Sequence, residues 1–68
     1  MKLSARNQLV GKIIEIKEGA VNASVKVEIS KDIVISSTIS MDSVKELGLT
    51  VGSDATAVIK STSVMIMA

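Results

Sequence analysis

The chain has 68 residues with no Cys, no His and no aromatic side chain, and eight basic against seven acidic residues leave a net charge of +1. The missing Cys and His exclude disulfide frameworks and the common zinc sites. The missing aromatics and basic excess remove the stacking platforms and electrostatic footprint of a nucleic-acid binder. A chain this short is at most one domain, 1–68, and its core must be built from Val, Ile, Leu, Met and Ala. Domains of this size bury little of their surface and need support. With disulfides and zinc gone, oligomerisation remains.

The opening "KLSARNQLVGKI" is no signal peptide, because Lys2, Arg6 and Lys12 interrupt any apolar run. No uncharged stretch is long enough to span a bilayer. The expectation is a soluble cytoplasmic protein.

The dominant hydrophobic period is two. A first strand is predicted over Gln8 to Lys17, with Ile14 and Ile16 on one face and Ile13 and Glu15 on the other. Gly11 inside it marks a bulge or sharp bend. "KEGA" at 17–20 makes a hairpin turn, with Gly19 supplying a positive φ. The second strand is "VNASVKVEI" at 21–29, in which Val21, Ala23, Val25, Val27 and Ile29 share one face. "SKD" at 30–32 is a turn, and a third strand runs from Ile33 to Ile39.

The pattern then changes. "SMDSVKELGL" at 40–49 reads as a short helix. Ser40 can cap it, Ser43 and Glu46 have capping-box spacing, and Gly48 closes it. Val44 and Leu47 lie three apart and are expected to face the sheet. "TVGSD" is a turn at 50–54. A fourth strand follows at Ala55 to Ile59 and, after "KSTS", a fifth at Ser63 to Met67. The order β-β-β-α-β-β predicts an all-β fold: a five-stranded OB-like barrel with one short helix between strands 3 and 4. Closure would remove exposed edges.

Three segments carry hydrogen-bond donors. Ser4 to Gln8 surround Arg6, whose guanidinium presents five donors and keeps its charge. A solvated strand entrance explains the same residues. "ISMDS" at 39–43 puts Ser40 and Ser43 at a helix N-terminus, which a capping role also explains. "IKSTS" at 59–63 follows Lys60 with three hydroxyl residues, as a polar turn would. Each segment could serve an anion, and only their convergence in space would make one site.

These residues carry a resemblance. "SARNQLVGKI", followed by a small β-domain with "I-S-M-D-S…LGL..G" and ending in "IKSTSVMI", resembles the molbindin family of Mop domains, related to TOBE modules, across essentially the whole chain. The resemblance implies an OB-like barrel, a homo-oligomer in the form of a hexamer (a trimer of dimers), and molybdate or tungstate bound between subunits. It places the oxyanion ligands on Ser4, the Ala5 backbone, Arg6, Ser40, Ser43, Lys60 and Ser61, with other small residues also used by relatives at 40 and 61. The implied role is intracellular molybdenum storage or homeostasis.

The chemistry is consistent with this. Molybdate is a tetrahedral dianion without a proton at neutral pH, so its site needs donors only. Arg6 and Lys60 would balance its charge. Asp42 is the one carboxylate in the matching segments and is expected to point away, complementing the helix N-terminus. Without His or Cys the molybdenum would be held as an intact oxyanion rather than coordinated directly. An enzyme is not expected: Ser4 or Ser61 near Lys60 is the only nucleophile–base pairing, and no strained elbow accompanies it. The alternatives are a ligand-free structural or partner-binding OB-like module and, with less support, a nucleic-acid-binding OB-fold.

Overall fold

The computed structural model describes residues 3–68. Strand β1 spans Asn7–Glu18, β2 Asn22–Ser30, β3 Ile33–Ser40 and β4 Asp54–Ile59, with helix α1 at Met41–Leu47 between β3 and β4. The sheet is antiparallel in the order β3-β2-β1-β4. β1 is long enough to pair twice. Its first half meets β4, from Asn7 opposite Ile59 to Lys12 opposite Asp54, and its second half meets β2. A strand shared in this way coils the sheet around one apolar face, which is the OB-like arrangement.

The core is Ile13, Ala23, Val25, Val27 and Val44, with Ile16, Ile29, Ile39, Met41, Leu49 and Ala55 packed against it. The predicted facing of β2 is therefore observed, except that Val21 lies before the strand and is exposed. In β1 the facing differs from the expectation. Ile13 is 1% exposed and Ile14 is 42% exposed. The register shifts between Ile13 and Glu15, so Ile14 is the extra residue of a β-bulge. The bulge reverses the alternation, and Ile13 and Ile16 both reach the core although they are an odd number apart. The turn after α1 locks this point. Ile13 N–H donates to Ser53 O at 3.0 Å, and Gly52 N–H donates to Ile13 O at 2.7 Å. Gly11 is required for a different reason, since a Cβ there would run into the backbone carbonyl of Glu28.

Gly19 does not adopt the positive φ expected of it; among the described residues Gly48 and Gly52 do, and Asp32 does so in the β2–β3 turn. Gly19 matters for space, because its N–H donates to Asn22 O at 2.9 Å and a Cβ would crowd that oxygen. In α1, Ser40 is the N-cap and its Oγ accepts from Ser43 N–H at 3.0 Å, so the capping pair is Ser40 with Ser43 rather than Ser43 with Glu46. Gly48 closes the helix at φ 62, with Gly48 N–H donating to Lys45 O and Leu49 N–H to Val44 O. Val44 faces the core as expected. Leu47 does not and is 68% exposed. Its place is taken by Met41, one helical turn before Val44.

The fifth strand is absent from the described residues. Ser61–Ser63 form a 3-10 turn, Val64 after it is extended, and residues 64–68 join no strand. A strand exists only with a neighbour to bond to, and within one chain this segment has none. The sheet thus has four strands and stays open, with β3 and β4 as its edges.

Candidate oxyanion site

The geometry of the site follows from the β1–β4 register. Paired residues in that ladder sum to the same number, as in Asn7 with Ile59 and Gln8 with Val58. The ladder ends at Asn7 and Ile59, so the residues before β1 and the residues after β4 leave the sheet at the same end. These two chain ends do form one cleft of about 360 Å³, lined by Leu3, Ser4, Ala5, Arg6, Lys60, Ser61 and Thr62. Two side-chain bonds hold its mouth. Asn7 Nδ2 donates to Ile59 O at 3.2 Å, and Gln8 Nε2 donates to Ala5 O at 2.8 Å. The second bond takes up one of the two acceptor positions of the Ala5 carbonyl.

The cleft is a donor set. It carries a guanidinium, an ammonium, hydroxyls at Ser4, Ser61 and Thr62, and no carboxylate. The ion pairs among the described residues lie elsewhere, Lys12 Nζ to Asp54 Oδ1 at 2.7 Å and Lys26 Nζ to Glu15 Oε2 at 3.4 Å. Two cationic side chains lining one cleft favour an anion between them. The residues present therefore fit a tetrahedral oxyanion. They do not fit a bare metal ion, for which the described residues contain no group of three His, Cys, Asp or Glu.

The structure brings together five of the seven expected ligand positions: Ser4, Ala5, Arg6, Lys60 and Ser61. Ser40 and Ser43 are not among them. They cap α1 where β3 ends opposite Asn22, and the whole of β1 separates that point from the cleft. Their hydroxyls bond to each other at 2.9 Å. Asp42, in the first turn of α1, is exposed and does not line the cleft. Thr62 and Leu3 were not anticipated from sequence.

Comparison with known proteins places this geometry. The TOBE domain family matches residues 3–66. The "Probable molybdenum-pterin-binding protein" of Haemophilus influenzae is 56% identical over 66 residues, covering 97% of this chain and 96% of that one. The chain belongs to the TOBE domain family, in its Mop branch. Among solved structures, this Mop chain superposes on the molybdate-binding protein from Sporomusa ovata with a TM-score of 0.93 at 34% identity, covering 100% of both chains. It also superposes on the cytoplasmic molybdate-binding protein ModG, solved with molybdate bound, with a TM-score of 0.85 at 44% identity. That match covers 90% of the Mop chain and 43% of ModG. The Mop family is one of binding domains. No helix among the described residues is long and apolar enough to cross a membrane.

Proposed function

We propose that this Mop chain, residues 1–68 acting as one domain, binds molybdate or tungstate as an intact oxyanion. Its role is cytoplasmic molybdenum storage or homeostasis without catalysis. The observation that carries the reading is that Arg6 and Lys60 line one cleft that holds donors and no carboxylate. Arg6 grips two oxygens through its planar fork, Lys60 supplies the second positive charge, and Ser4, Ser61 and the Ala5 N–H fill the remaining directions. The molybdate-binding relatives support the choice of ion.

The cleft is open to water in one chain, and Arg6 and Lys60 are both exposed. Charge–charge attraction at such a surface is weak and screened by salt. A second copy covering the cleft removes that water, and it is the means by which Ser40 and Ser43 can join the same ion. The functional unit is accordingly a homo-oligomer with sites between subunits, a hexamer arranged as a trimer of dimers. Equilibrium dialysis against molybdate, followed by metal analysis, tests the reading. Bound molybdenum is expected, and its absence would leave a structural or partner-binding module.

A further inference from the structure

Asn7 and Gln8 follow Arg6 directly, yet neither lines the cleft. Both side-chain amides are committed, and to matching targets. Gln8 Nε2 donates to Ala5 O at 2.8 Å, and that carbonyl belongs to the peptide group from which Arg6 starts. Asn7 Nδ2 donates to Ile59 O at 3.2 Å, and that carbonyl belongs to the peptide group from which Lys60 starts. A carbonyl only accepts, so the partners themselves settle which end of each amide faces them. Each cation of the cleft is thus rooted in a peptide whose oxygen is held by one of two neighbouring amides.

A peptide group is planar, so holding its oxygen fixes the plane from which the next residue leaves. The two bonds differ in reach. The Gln8 bond spans three positions and sets how Arg6 departs from its own segment. The Asn7 bond spans 52 positions and ties the start of β1 to the end of β4, at the last pair of their ladder. Arg6 and Lys60 are the next residues outward from that pair. The entropy of ordering both roots is lost on folding and is not lost again when an ion arrives.

We propose, on the oxyanion reading of the cleft, that Asn7 and Gln8 are positioning residues that fix the spacing of Arg6 and Lys60 and so set the size of ion the cleft prefers. Neither touches the ion. With both roots fixed, the donors suit the larger molybdate and meet sulfate with lengthened bonds. With one root freed, they can close on the smaller ion, and the two affinities draw together.

The full chain is tested as wild type and as Gln8→Met and Asn7→Leu separately. Each substitute is similar in size to the original side chain, leaves the net charge unchanged and cannot donate. Calorimetry gives the molybdate affinity at pH 7, and displacement of bound molybdate gives that of sulfate, also a dianion. Each variant is expected to bind molybdate on the order of 3- to 10-fold more weakly. It should lose less affinity for sulfate, so the molybdate-to-sulfate ratio falls. A variant that is merely less well folded loses apparent affinity for both ions by the same factor and keeps the ratio. Gln8 is exposed, so Gln8→Met decides the matter even if Asn7→Leu, at a half-buried position, fails to fold. An unchanged ratio in the variants that fold overturns the proposal and leaves the oxyanion site standing. A wild type that binds no molybdate overturns both.

Discussion

Replacing Arg6 with Ala removes one of the two cations that line the cleft at the end of the β1–β4 ladder. Two effects of opposite sign follow. A hydrogen bond to a charged partner contributes about 1.5–3 kcal/mol, so its loss weakens molybdate binding roughly 10- to 150-fold. Arg6 is exposed in the single chain, which puts the expected loss near the lower end unless a second copy covers the cleft. Without ligand the sign reverses. Arg6 makes no ion pair among the described residues and shares the cleft with another cation, so the ligand-free variant should be as stable as the parent or slightly more so. Lys60→Ala should weaken binding less, because an ammonium acts as a point charge while the guanidinium donates two parallel bonds. Titration calorimetry gives the affinities, and thermal melts with and without molybdate give the stabilities. Wild-type affinity in Arg6→Ala would remove the opening motif from the site. A large drop in its ligand-free melting temperature would make Arg6 a structural residue instead.

Other outcomes are equally specific. Gly11→Ala drives a methyl group into the Glu28 backbone, which cannot rotate away as a side chain would, and should lower stability by about 1–3 kcal/mol or more in urea unfolding. The Asp54 carboxyl is held below its ordinary value of 3.8, first by the hydrogen bond from Lys12 and then by the charge of Lys12. A depressed pKa in the folded state stabilises above 3.8 and is lost as pH falls through the folded value, so Asp54→Asn should lower the urea midpoint slightly above that acid window and leave it unchanged below it. The donor-only cleft also sets an order of ions: molybdate similar to tungstate, then sulfate, then phosphate. Sulfate is smaller and cannot be reached by every donor at once, while phosphate near neutral pH carries a proton that would face donors, at roughly 1–3 kcal/mol. Competition dialysis at pH 7 measures this order, and phosphate displacing molybdate as well as tungstate does would mean an acceptor lines the site.

What the sequence made legible is what depends on local chemistry. The alternation from Ala23 to Ile29 showed its buried face directly, and Ser40 and Gly48 marked the ends of α1 because caps are properties of single residues. What it hid depends on partners. Ile14 looks like any strand residue, and only its pairing with β2 makes it a bulge that turns Ile13 inward. Leu47 fits the helical spacing as well as Met41 does, yet the groove side of α1 is open in one chain. Val64 to Met67 have the composition of a strand and no neighbour to pair with. In the site, the segments around Arg6 and Lys60 were each ambiguous alone. The long-range pairing of Asn7 with Ile59 is what joins them, and no local pattern announces that register.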